Sequence, residues 1–247
     1  MRRNPLLCAC LLPGCGRPTS RFLRCGLAGC RSAVAREFVT IGDMQQHWDN
    51  VYNTKAPNQV SWFRPHLETS LAFLERAAGG DRSASILDVG GGASTLVDDL
   101  IERGYRKVAV LDITQAALDL AQKRLGDAAR TVQWIHADVT QANLPAGCFD
   151  VWHDRAVFHF LTTPQQRLAY AGKAASTLKP GGHLVVSTFG PEGPTRCSGL
   201  DAVRYDAESL HAELGERFRL VATLKELHQT PSGAAQQFLY CHFTLEP

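Results

Sequence analysis

Three acids and a run of glycines carry the clearest chemistry in this sequence. Asp88-Val89-Gly90-Gly91-Gly92-Ala93-Ser94 sets a carboxylate two residues ahead of a G-x-G turn. Glycine there lets the backbone turn sharply and lets a ligand approach with no Cβ in the way. Asp112 follows 22 residues after Gly90, the separation at which an acid ending the next strand accepts from a ribose diol. Asp138 stands just past the end of a third apolar run. A glycine turn alone is weak evidence, but the turn with two acids at successive strand ends points to a nucleotide-like ligand. A second cluster runs Phe149-Asp150-Val151-Trp152-His153-Asp154-Arg155-Ala156-Val157-Phe158-His159-Phe160. Asp154 and Arg155 side by side read either as an ion pair or as an acceptor-binding clamp. His159 reads either as a general base or as a buried histidine tied to a backbone carbonyl.

These residues need strands and helices to hold them. Short apolar runs predict strands at Ser85–Val89, Lys107–Leu111, Thr131–His136, Phe149–His153 and His183–Thr188. Helical patterns fill the gaps at Ser94–Arg103, from a Thr114 cap to Leu125, and at Pro164–Leu178, where Lys179-Pro180-Gly181-Gly182 stops the last. Asp206 caps a further helix to about Leu214. Arg219–Leu224 and Gln237–Leu245 read as closing strands separated by a loop over His228–Ala235, hence an antiparallel hairpin. Strict β-α alternation predicts an α/β fold with a parallel sheet covered on both faces. Phe189-Gly190-Pro191-Glu192-Gly193-Pro194-Thr195-Arg196-Cys197-Ser198-Gly199 is long and Gly/Pro-rich for a connection. Loops of that kind line binding sites, so Thr195, Arg196 and Ser198 are expected to touch an acceptor.

Composition narrows the class. A charged fraction of 20% beside 45% apolar residues excludes a disordered protein, and no stretch approaches the length of a membrane span. A net charge of +2 gives no case for nucleic acid as a partner. The charge is unevenly spread. Residues 1–36 hold seven Arg, no acid and five of the eight Cys, and without them 19 basic residues face 24 acidic ones, −5. Residues 1–43 therefore read as a leader, with three readings open: a mitochondrial transit peptide, a disordered or gene-model extension before Met44, or a small structural element. Cys8, Cys10, Cys15, Cys25 and Cys30 lack the paired spacing of a metal cluster. The domain is expected over 44–247, and its three cysteines suit a reducing, cytoplasmic setting, mitochondrial if the leader is a transit peptide.

The nucleotide is narrowed next. A dinucleotide fingerprint would place glycine at position 95, where Thr95 stands, and no Gly-Lys-Ser/Thr triplet supplies a phosphate loop. Asp88, Gly90, Gly92, Asp112, Asp138 and Pro180-Gly181-Gly182 instead resemble, in order, the motifs of the class I S-adenosylmethionine-dependent methyltransferases. The resemblance covers roughly residues 45–245. It implies a Rossmann-like, seven-stranded, mostly parallel sheet with helices on both faces and an antiparallel C-terminal hairpin. It also implies S-adenosylmethionine as cofactor, with S-adenosylhomocysteine as product and no metal. Asp88 would meet the donor's amino group, and the backbone of Gly90, Gly91 and Gly92 its methionine portion. Asp112, with Ile113 beside it, would hold the ribose, while Asp138 and the amide of Val139 would read the adenine edge.

Further along, the resemblance puts His153, Asp154 and Arg155 near the reacting centre, with His153 beside the donor and Asp154, Arg155 and His159 as the catalytic candidates. Residues 45–66 carry Trp48, Tyr52, Trp62 and Phe63, and in such proteins this segment often closes over the cofactor. Trp62 and Phe63 are read as an aromatic lid, and Trp48 as packing on the sheet edge. Strand four ends His153-Asp154-Arg155-Ala156 rather than in the Asn/Asp-Pro-Pro-Tyr/Phe motif of amide and base methylation. A small-molecule acceptor is therefore the first reading and a protein lysine the second. A nonenzymatic sensor of the methyl donor and a nicotinamide-dependent oxidoreductase are the readings from other classes.

Overall fold

The computed structural model describes residues 40–247. The leader readings for residues 1–39, and the five cysteines among them, lie outside the described residues. The first helix, α1 (Ile41–Thr54), starts three residues before Met44. Thr40 caps it: the Asp43 amide donates to its hydroxyl at 3.2 Å, and its own amide donates to Asp43 Oδ2 at 2.9 Å.

Helix α2 (Glu68–Ala77) leads into alternating strands and helices: β1 (Ser85–Val89), α3 (Leu96–Glu102), β2 (Lys107–Asp112), α4 (Gln115–Leu125), β3 (Val132–His136), β4 (Phe149–Arg155), α5 (Pro164–Thr177) and β5 (Leu178–Phe189). A two-residue-per-arm hairpin, β6 (Arg196–Cys197) and β7 (Leu200–Asp201), precedes α6 (Ala207–Leu214), β8 (Phe218–Gln229) and β9 (Ala235–Leu245). The main sheet runs in the order β3-β2-β1-β4-β5-β9-β8, parallel from β3 to β5 and antiparallel at β9 and β8. This is the seven-stranded arrangement the sequence predicts. No helix among the described residues is long and apolar enough to cross a membrane.

Two cores sandwich the sheet. Leu87, Trp152, Leu184 and Phe243 meet Tyr170 and Ala174 of α5 and Leu210 of α6 on one face. Ile86, Val151, Val185 and Phe238 meet Leu71 and Leu74 of α2 and Leu96 and Leu100 of α3 on the other. Neighbours along each strand thus belong to opposite cores, as the twofold pleat requires. The strand order reverses between β1 and β4, which opens a crevice beyond their C-terminal ends.

Several elements differ from expectation: β5 starts at Leu178 rather than His183, and the β6–β7 hairpin forms within the expected loop. β8 extends to Gln229 because its register with β9 continues to Gln229↔Ala235, closed by a Thr230–Ala234 turn. Backbone pairing carries the strand through Lys225-Glu226, where the apolar signal fades. β4 continues two residues past His153, to Arg155, and that extension decides which side chains reach the crevice.

Candidate functional site

The turn after β1 works by close approach. Gly90 has φ of +66°, and a Cβ there would lie 2.0 Å from Val157 Cγ2; a Cβ on Gly92 would lie 2.5 Å from Asp112 Oδ2. The turn wraps the Asp88 carboxylate, whose Oδ2 a Cβ on Gly91 would meet at 2.3 Å. Asp88 Oδ1 pairs with His153 Nδ1 at 2.7 Å, and His153 Nε2 lies 3.0 Å from Ser70 Oγ. His153 therefore fixes the turn from behind rather than lining the larger part of the cavity. At the end of β2, Asp112 Oδ1 accepts from the Thr114 amide at 2.9 Å. Burial pushes its carboxyl up to about 7, against the pull of the Thr114 amide. Asp138 likewise accepts from the Thr140 amide, at 2.7 Å.

Asp112, Ile113, Asp138 and Val139 share one wall of a cavity of about 940 Å³, its open mouth included. Gly90 and Arg155 also line it, and both continue into a smaller lobe of about 560 Å³ that reaches Asp88, Gly91, Ser94, His153 and Phe63. Trp48, Tyr52 and Trp62 roof the larger lobe. Trp48 stands 5.5 Å from Trp62 and 5.3 Å from Phe160, edge to face in both pairs. Trp48 thus lines the cavity while also packing against the second core, as expected of it. The roof is tied down at several points. The Thr114 hydroxyl donates to Asp49 instead of capping α4, Gln45 Nε2 meets His136 Nε2 at 3.3 Å, and Thr95 Oγ1 donates to the Pro65 carbonyl at 2.9 Å. The position where a dinucleotide fingerprint would carry glycine is therefore a tether for the lid.

The end of β4 sorts its side chains by face. Arg155 reaches the cavity; Asp154, its neighbour, points through to the opposite core. Asp154 is fully buried and accepts from the Val157 amide at 2.9 Å, the Phe158 amide at 3.1 Å and the Tyr170 hydroxyl at 2.7 Å. The structure gives it a turn-building role and forms no Asp154–Arg155 pair. His159 is also buried and off the cavity wall. Its Nδ1 accepts from the Phe189 amide at 3.2 Å, and burial holds its pKa down at about 3. It is neutral and, as in the second reading, buried and tied to the backbone, though through the Phe189 amide rather than a carbonyl. In the loop after β5, Thr195 and Arg196 are exposed, and Arg196 is spent on Asp201 and the Gly199 carbonyl within the small hairpin. Neither they nor Ser198 line the cavity; Cys197 does.

Several wall residues were missed by sequence reasoning. Ala156 has φ of 73°, a left-handed turn that aims β4's last residues across Gly90. Alanine gives no sequence signal for that conformation. Gln166, in the first turn of α5, and Met44 on α1 also line the cavity. The i, i+4 spacing of Trp48 and Tyr52 was the available signal for the lid helix.

A doubly wound sheet whose glycine turn and strand-end acids share one roofed cavity defines a nucleoside-binding α/β protein. The residues fit an adenosyl group: two acids on one wall, and glycines where a Cβ would close the cradle. Residues 86–182 match a family model described as a methyltransferase domain. An uncharacterised methyltransferase of Mycobacterium bovis is 35% identical over 104 residues, 42% of this chain and 50% of that protein. A malonyl-[acyl-carrier protein] O-methyltransferase of Halalkalibacterium halodurans is 29% identical over 139 residues, 55% and 50% of the two chains. The 1,6-didemethyltoxoflavin-N1-methyltransferase of Burkholderia thailandensis, solved with S-adenosylhomocysteine, has a TM-score of 0.62 at 20% identity, covering 85% of this chain and 88% of its own. Residues 86–182 are thus similar to a methyltransferase domain, on a fold shared with solved S-adenosylmethionine-dependent methyltransferases. It spans about half the length of the curated relatives it matches.

Proposed function

We propose that the chain transfers a methyl group from S-adenosylmethionine to a small-molecule acceptor held under the aromatic roof. The observation that carries this reading is the single cavity joining Asp112 and Asp138 to Trp48, Trp62 and Arg155. Asp112 would accept from the ribose hydroxyls, Asp138 and the Val139 amide would meet the adenine edge, and Asp88 with the glycine turn would take the amino-acid end. When bound, S-adenosylmethionine supplies a methyl group already activated on a sulfonium. The protein's own work is then to align the acceptor at near-attack distance and to exclude water. Trp48, Tyr52 and Trp62 do the excluding, and their faces suit a cation by about 0.5–2 kcal/mol. An acceptor under a roof tethered by Asp49, Gln45 and Thr95 must be small, which favours a metabolite over a lysine presented on a folded protein surface. The three described cysteines, Cys148, Cys197 and Cys241, are free, in keeping with a reducing, cytoplasmic setting.

The test has two stages. Calorimetric titration with S-adenosylmethionine and with NAD should show binding of the first alone. Labelled methyl donor added with the protein to a cell extract should then label the small-molecule fraction. Label confined to protein would replace this reading with lysine methylation.

A further inference from the structure

We infer that the acceptor is a flat anion, its charged atom a carboxylate, thiolate or aryl oxygen, held by Arg155 and methylated on that atom. The inference rests on the methyl-transfer reading above and narrows its acceptor. Arg155 lies on the wall of both lobes of the cavity. Its Nε donates to the Tyr240 hydroxyl at 3.1 Å, its Nη1 donates to the Trp62 carbonyl at 3.0 Å, and its Cζ sits 4.6 Å from the centre of the Phe238 ring. All three partners are neutral. Nη2 is buried with no acceptor. Among the described residues no carboxylate lies within ion-pair distance of this guanidinium. A guanidinium keeps its charge in such a setting, and an anion is the partner that answers both the charge and the spare N–H. A sulfonium in the same cavity adds a second positive charge, which an anionic acceptor also offsets.

The acceptor side of the cavity, moreover, offers no base. Asp154 faces the other core, His159 is off the wall, and Cys197 keeps its proton because burial pushes its thiol up to about 11. Asp112 and Asp138 stand on the nucleoside wall. An acceptor that arrives ionised needs none of them. Its lone pair forms the new bond to the methyl carbon while the carbon–sulfur bond breaks with its pair going to sulfur. One negative and one positive charge cancel, and no proton moves. Flatness is inferred from the continuous aromatic wall that Trp48, Trp62 and Phe160 build by packing edge to face on one another, a surface on which a planar group stacks.

Protein saturated with S-adenosylhomocysteine would be titrated at pH 7.5 with benzoate, benzamide and benzylamine, following tryptophan fluorescence through Trp48 and Trp62. Benzoate is expected to bind about tenfold or more tighter than benzamide, with benzylamine weakest. Arg155→Met should erase the preference and Arg155→Lys should keep part of it, with S-adenosylhomocysteine affinity unchanged in both. The wild-type comparison stands even if a variant fails to fold. Equal binding of benzoate and benzamide, no benzoate binding, or a preference that survives in Arg155→Met would overturn the inference alone. Loss of S-adenosylhomocysteine affinity in Arg155→Met with the fold intact would also overturn it, by assigning Arg155 to the donor's carboxylate. A wild-type protein that binds no S-adenosylhomocysteine would sink the methyl-transfer reading as well.

Discussion

At the ends of β1, β2 and β3 the polar side chains are turned toward the cavity; at the end of β4 and in the loop after β5 most are consumed by the fold. Asp112 and Asp138 each give one oxygen to an amide two residues on and stay on the wall. Asp154, of the same residue type, gives its oxygens to two amides and a tyrosine in the opposite core. The difference is one of position relative to the pleat. Asp112 is the last residue of β2 and Asp138 lies two residues beyond β3, whereas Asp154 is followed by one more strand residue and faces the α5 core. Chemical type alone therefore does not separate a cavity-lining acid from one that faces the core.

The sharpest way to break this contrast is to remove Asp154. Asp154→Ala strands three buried donors and should cost about 3 kcal/mol or more of stability, read by urea unfolding. Donor affinity measured well below the unfolding temperature should not change. A stable variant with lost turnover would return Asp154 to the reacting centre. On the other side, Asp112→Asn should leave stability nearly intact and weaken S-adenosylhomocysteine binding by about 10- to 100-fold. Because the free carboxyl titrates near 7 and the ribose hydroxyls call for its charged form, wild-type affinity should fall as pH drops from 8 to 6. Binding near pH 7 should release a proton, visible as a buffer-dependent calorimetric enthalpy that vanishes in Asp112→Asn.

His159→Phe tests the contrast more gently. It should cost about 1 kcal/mol, the loss of one buried hydrogen bond, and leave the pH profile of turnover unchanged. A general base would instead cost about 10²- to 10⁴-fold in rate. The imidazole's folded pKa, about 3, lies below its unfolded value, so its share of acid destabilisation sets in as pH falls below about 6.5. That share should be absent in the variant. The smallest effect is expected at Arg196, whose side chain closes a surface hairpin. Arg196→Ala should change the acceptor's KM by less than about twofold, as an exposed substitution away from the cavity should.

The half of the cavity built on the glycine turn, Asp112 and Asp138 was largely legible because its signals are backbone signals. Gly90 and Gly92 are needed where a Cβ would strike Val157 or Asp112, and the acids sit at strand ends that hydrophobic periodicity alone can locate. The half at the end of β4 and in the loop after β5 was less legible. Reading β4 as ending at His153 freed Asp154 and Arg155 to act together, while two more residues of pairing with β5 send them to opposite faces. Similarly, the Gly/Pro-rich loop looked like a source of polar contacts, yet a two-residue hairpin turns Arg196 outward and brings the buried Cys197 to the wall.

Local pattern by itself determined the alternation of strands and helices, the glycine turn and the acids that end β1, β2 and the run of β3, because each depends on residues near in the chain. Only tertiary packing decided that α1 roofs the cavity, that Tyr240 and Trp62 hold Arg155 from 85 and 93 residues away, and that Asp154 and His159 serve the fold. Those assignments hang on which face a side chain occupies and what desolvates it, and both are set by partners that lie far off in sequence.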